Sequence, residues 1–194
     1  MLKEPLHSVI IGSLLGDGCL EKNGCMYRMR FDHSIKQVSY IKWKYNMIKE
    51  IAACEPKKIE VYDVRKNKKY WHVRFCTKSM KELKIYYEWF YFKAKKNVPK
   101  NIELLMNSEL ALAVWYMDDG HRRTDCKALR LNTQSFSTEE INLLIKVLDK
   151  NFGIKSKIHK AGKYNVIYIP SSSAKQFCNL IHRYIPPEMG YKLL

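Results

Sequence analysis

The hydrophobic pattern along the chain states the same design twice. Residues 9–18, VIIGSLLGDG, form an apolar run that closes on Asp-Gly, and residues 111–120, ALAVWYMDDG, repeat it. Each reads as a helix that stops at its glycine. A stretch of period two follows both. In YRMRFDHS (residues 27–34) Tyr27, Met29 and Phe31 alternate with Arg28, Arg30 and Asp32; in ALRLNTQS (residues 128–135) Leu129 and Leu131 alternate with Arg130 and Asn132. Such alternation marks a strand with one buried face and one free face.

The later elements repeat too. Ser34 with Gln37, and Ser137 with Glu140, have capping-box spacing, in which two side chains satisfy orphan backbone donors at a helix start; each opens a helical run. Hairpins follow around Asn67-Lys68-Lys69 and Ala161-Gly162-Lys163. Second boxes then come at Ser79 with Glu82 and at Ser173 with Gln176. A repeat of whole elements in one order predicts two related halves, residues 1–98 and 99–194, joined around 97–108. Each reads as helix–strand–helix–hairpin–helix, with four strands once a short extra strand is allowed. The fold class is α+β. The aromatic run 86–92 reads as helix packing, not as a stacking platform.

Charge narrows the function. Lys and Arg number 35 against 19 Asp and Glu, a net +16. That excess implies a polyanionic partner, nucleic acid before an acidic membrane surface. No apolar run is long enough to span a bilayer and no leader peptide is recognisable. The cysteines, Cys19, Cys25, Cys54, Cys76, Cys126 and Cys178, include no C-x-x-C pair. They read as reduced thiols, mostly core fillers, in an intracellular reducing compartment. Scattered histidines argue against zinc.

The Asp-Gly ends are the candidate chemistry. Carboxylates are mildly unfavourable at a helix C-terminus, which already carries partial negative charge. Gly18 and Gly120 suit left-handed caps, which explains the glycines but not the acids. If the repeated helices pack together, through Gly12 and Gly16 on one and Ala113 on the other, Asp17 and Asp119 meet. Two such acids repel unless a divalent cation lies between them, and hard oxygen ligands suit Mg²⁺.

The stretches IIGSLLGDG and LAVWYMDDG resemble the signature helix of the LAGLIDADG homing endonucleases, and two copies resemble a single-chain member. The resemblance implies two pseudo-symmetric αββαββα halves whose antiparallel, saddle-shaped sheets straddle DNA. It implies a site-specific endonuclease that cuts both strands at a long asymmetric target. Its metal ligands fall on Asp17 and Asp119, with Asp118 a weaker candidate, and Mg²⁺ as the ion, Mn²⁺ being able to replace it. Its basic catalytic residues fall on Lys96 and Lys192. Leu15 and Met117 stand where the full signature has an earlier acid, and Val114 replaces a small packing residue, so the halves should pack asymmetrically.

The free strand faces offer Arg28, Arg30, Tyr70, His72, Arg74, Arg130, Asn132 and Gln134 for base edges. Lys66, Lys68, Lys69, Lys157, Lys160 and Lys163, near the hairpin tips, suit phosphates; Arg122 and Arg123 follow the second signature and join the DNA-binding set. Double-stranded DNA is the expected partner, bound by a monomer and not a membrane. The alternatives are an RNA-binding intron maturase, with intron RNA as its partner, and a non-cleaving DNA-binding regulator of the same fold.

Overall fold

The computed structural model describes residues 2–194. The first apolar run forms α1 (Leu6–Leu15), every residue of which is buried. It leads into β1 (Cys19–Asn23), β2 (Met26–Ser34), α2 (Val38–Met47), a long hairpin of β3 (Lys57–Asp63) and β4 (Lys68–Cys76), and α3 (Lys84–Phe90). A short hairpin, β5 (Tyr91–Phe92) with β6 (Lys95–Lys96), and the single-turn α4 (Ile102–Leu105) come next. The order then repeats as α5 (Glu109–Asp119), β7 (Gly120–Arg122), β8 (Leu129–Leu131), α6 (Thr138–Phe152), β9 (Lys157–Ala161), β10 (Tyr164–Ile169) and α7 (Ser171–Ile181). Both sets give antiparallel four-stranded sheets with the same neighbour order, β1-β2-β4-β3 and β7-β8-β10-β9. The αββαββα plan is therefore present twice.

The expected alternation is visible in β2, where Tyr27, Met29, Phe31 and His33 are buried and the residues between them are not. The buried faces of both sheets and of the helices merge into one continuous core. At its centre α1 lies against α5. A methyl on Gly12 would sit 2.7 Å from the Val114 Cβ, and one on Gly16 would sit 2.6 Å from the Asp118 Oδ2. Close approach does run through the two glycines. The atoms nearest them belong to Ala111, Val114 and Asp118, not to Ala113.

Several local expectations fail for physical reasons. Of the four capping boxes only Ser137 with Glu140 forms. The Ser34 hydroxyl accepts from the Lys36 N–H at the start of a 3-10 turn. Ser79 accepts instead from Asn23, and α7 starts at Ser171, ahead of Ser173, because Pro170 precedes it. Gly18 and Gly120 are not left-handed caps. Gly120 has φ −83°, and the positive-φ glycines are Gly24, Gly153 and Gly162. Space is the reason: a Cβ at Gly18 would lie 2.8 Å from the Ser13 carbonyl oxygen, and one at Gly120 would lie 2.5 Å from that of Tyr116. The cysteines carry free thiols, yet only Cys178 is buried, so core filling does not describe them. The aromatic run packs through Tyr86 and Phe90, but the helix ends there and Phe92 is exposed. Among the described residues no helix is long and apolar enough to cross a membrane.

Candidate active site at the paired helix ends

Asp119 is the last residue of α5, and Asp17 lies just beyond the end of α1. Packing these helices side by side brings the two acids to one end of the pair. Burial, followed by the charges of Asp17 and Asp118, pushes the Asp119 carboxyl up to about 8. Partial burial and Asp118 also raise Asp17, whose side chain is about half exposed. Each helix end is answered by a lysine. Lys96, on β6, donates to the carbonyl oxygens of Gly16 at 2.8 Å and Gly18 at 2.7 Å. Lys192, in the 3-10 turn Pro187–Lys192, donates to the Met117 carbonyl at 2.5 Å and lies 3.5 Å from that of Asp118. These ammonium groups offset the negative helix ends and so make the acids tolerable there. Burial lowers both lysines, while the neighbouring acids oppose that change.

Asp118 plays another part. Its side chain is fully buried and faces Lys44, itself fully buried in α2, with Nζ 2.7 and 2.9 Å from the two carboxylate oxygens. The Tyr40 hydroxyl donates to it at 2.8 Å, and the backbone N–H of Asp17 donates from the other half at 3.2 Å. Burial, the largest single influence, would raise this acid, but the Lys44 charge, His33 and the hydrogen bonds from Lys44 and Tyr40 together outweigh it and hold it below the usual carboxylate range. Buried His33 stands 3.9 Å from Asp17 and 3.8 Å from Asp118. Burial and Lys44 lower it to about 4, leaving it neutral. Asp17, His33 and Asp118 are close enough to suggest a metal cluster, but both Asp118 oxygens are already engaged by Lys44.

Strand register sorts the expected basic residues. Arg28, Arg30, Tyr70, His72 and Arg74 share the free face of the first sheet, and Lys68 lies on it near the tip. In the second sheet Arg130 and Lys157 share the free face with Tyr168. Lys69 falls on the opposite face, paired with Glu60 at 2.7 Å, and Lys160 lies opposite Asn165 on the helix side. Arg122 also turns to the helix side, where it donates to the Leu193 carbonyl. Arg123 is held by Asp125. Lys66 and Lys163 sit at the hairpin turns, near Tyr70 and Tyr164. Asn132 follows β8 beside the acids, donating its N–H to the Asp119 carbonyl at 3.0 Å, and Gln134 bonds to it.

Residues 7–177 match the model of the LAGLIDADG DNA endonuclease family. The chain belongs to that family. It is 32% identical over 199 residues to cytochrome b mRNA maturase bI2 of Debaryomyces hansenii, covering 99% of this chain and 74% of the relative. It is 32% identical over 195 residues to the probable intron-encoded endonuclease 1 of Wickerhamomyces canadensis, covering 97% of this chain and 83% of the relative. Its fold matches the homing endonuclease I-WcaI bound to its DNA recognition sequence with a TM-score of 0.90 and 30% identity, over 100% of this chain and 88% of that one.

Within this LAGLIDADG scaffold the sequence reading missed Lys44, Tyr40 and His33. A signal existed: Tyr40, Ile41 and Lys44 share one face of α2, and a lysine in line with buried positions implies a buried anion. His121 and Tyr168 also escaped it, although register places both beside Arg130.

Proposed function

We propose that this chain is a monomeric, Mg²⁺-dependent homing endonuclease that hydrolyses one phosphodiester in each strand of a long, asymmetric DNA target. The observation that carries the reading is the pair of acids at the abutting helix ends, with Asp119 pushed to about 8. Such a pair is costly alone and is relieved by a cation. The donor set of carboxylate oxygens, flanked by backbone carbonyls, fits a hard divalent ion. Asp17 and Asp119 would hold it, and it would polarise the scissile phosphate and lower the pKa of a water.

The remaining work falls to the protein. Lys96 and Lys192 each spend donors on helix-end carbonyls, which fixes their ammonium groups beside the acids. A lysine has three donors, so each retains one for a phosphate oxygen as charge builds there. Asp118, neutralised by Lys44, holds the backbone of Asp17 in place. The two free sheet faces supply DNA contacts on either side: Arg28, Arg30, His72 and Arg74 from one half, Arg130, Lys157 and Asn132 from the other.

The test is linearisation of a plasmid that carries the uninterrupted host sequence, with Mg²⁺ present. Asp17→Asn or Asp119→Asn should lower cutting at least ~1,000-fold while leaving binding in Ca²⁺ intact. Unchanged cutting by either variant removes this active site. The likeness to a maturase favours a second reading, in which the chain promotes splicing of intron RNA. Splicing stimulated by wild type and by Asp119→Asn alike, without DNA cutting, would establish that reading instead.

A further inference from the structure

The two sheets differ in where they keep acids. Strands β7 to β10 contain no Asp or Glu, whereas β1 to β3 contain Glu21, Asp32, Glu60 and Asp63. Glu21 and Asp32 lie on the free face among the basic residues, Asp63 lies on it at the hairpin tip opposite Lys68, and Glu60 lies on the other side. An acid on a surface meant for a polyanion repels phosphate and costs affinity, so its presence there calls for a compensating role.

Register and geometry indicate that role. Glu21 stands directly opposite Arg28. It accepts from the Arg28 Nε at 3.0 Å and pairs with Arg30 at 2.7 Å. Asp32 stands directly opposite Arg74. It accepts from the Arg74 Nε at 2.8 Å with one oxygen and from the His72 Nδ1 at 2.7 Å with the other. Four basic side chains are thus held in two acid-centred groups that stay partly open to solvent. By contrast, Arg130 on the second sheet faces His121 and Tyr168, with no acid on its strands.

Resting on the proposed function, we infer that Glu21 and Asp32 are specificity-determining residues. Each pins guanidinium groups in one orientation, leaving their other N–H donors for a guanine edge. Asp32 also fixes the tautomer and ring plane of His72. Pinning reduces the entropy lost on binding bases. It also cancels charge that would otherwise grip any phosphate. The first sheet is the discriminating half, and the acid-free second sheet is the adhesive half.

The experiment selects binders from a randomised duplex library in Ca²⁺ and sequences them, with a salt titration on an unrelated duplex. Arg130→Ala marks the positions under the second sheet. Asp32→Asn and Glu21→Gln should flatten base preferences under the first sheet roughly five- to tenfold and leave those under the second unchanged. Binding to the unrelated duplex should strengthen, with a salt slope steeper by about one contact. Glu60→Gln makes the same charge change on the opposite face of the same sheet and should not flatten any position. Flattening by Glu60→Gln equal to that by Asp32→Asn, or unchanged preferences in Asp32→Asn, overturns the inference. A wild-type chain with no base preference anywhere overturns the proposed function itself.

Discussion

The two signature helices share a pattern but not a shape. Where α1 has Gly12 and Gly16, the corresponding positions of α5 hold Val114 and Asp118, and these are the residues that meet across the seam. One helix supplies the hollows and the other the side chains that fill them. In a symmetric pair both helices would be small at these points. Here the asymmetry admits a buried carboxylate, and the fold neutralises it with Lys44 from α2 of the first half. A small difference between repeats therefore needs a buried ion pair to sustain it, and that pair ties the two halves together.

The largest expected effect comes from breaking the pair. Lys44→Met leaves Asp118 charged in the interior without its counter-ion and should destabilise the chain by about 3–5 kcal/mol. Asp118→Asn added to it should restore much of that loss. A double variant as unstable as the sum of the single ones would mean that the two residues act separately. Denaturant unfolding of all three proteins decides it. Next in size is filling a hollow: Gly16→Ala drives a methyl against Asp118 and should cost about 1–3 kcal/mol. By comparison, Gly162→Ala meets no neighbouring atom but requires φ +60°, and should cost about 1 kcal/mol.

The acids at the helix ends should also separate by pH. Asp118 is held low, so its contribution is full above the ordinary carboxylate value near 4 and is lost as pH falls through its folded value. Asp119 behaves oppositely. Its folded value near 8 makes the metal-free protein lose stability as pH climbs from about 4 to 8. Mg²⁺ must displace that proton, so its binding should tighten with pH and level off above about 8. Calorimetry in buffers of different ionisation enthalpy would show proton release at pH 7, and Asp119→Asn should abolish it. Proton-free binding by wild type would contradict this account.

The smallest effect concerns how the two lysines arrive. Lys192 comes from a 3-10 turn, but Lys96 comes from a hairpin whose turn residues, Lys93 and Ala94, have φ 47° and 61°. Side chains disfavour that region, so Ala94→Gly should stabilise by about 1 kcal/mol. A shifted melting temperature with unchanged cleavage would show that the strain is incidental to placing Lys96.

Much of this was legible in the chain. Element order, the doubling, and Asp17 and Asp119 follow from periodicity and from a motif placed twice, because these are local properties. The capping boxes at Ser34, Ser79 and Ser173 failed because a spacing of three residues does not secure the geometry. In the sequence Gly18 and Gly120 suggest backbone freedom, whereas their lack of a side chain matters through contacts with Ser13 and Tyr116.

Sequence alone thus determined what repeats and which acids close each repeat, since hydrophobic period and turn chemistry act over a few residues. Only the tertiary structure decided that Lys44 answers Asp118, residues far apart in the chain. It also decided that Lys69, Lys160 and Arg122 lie away from the free faces of their sheets, which carry Arg28 and Arg74 in the first and Arg130 in the second. Strand register sets the face of a side chain, and packing sets the partner of a buried charge; neither is fixed until distant segments meet.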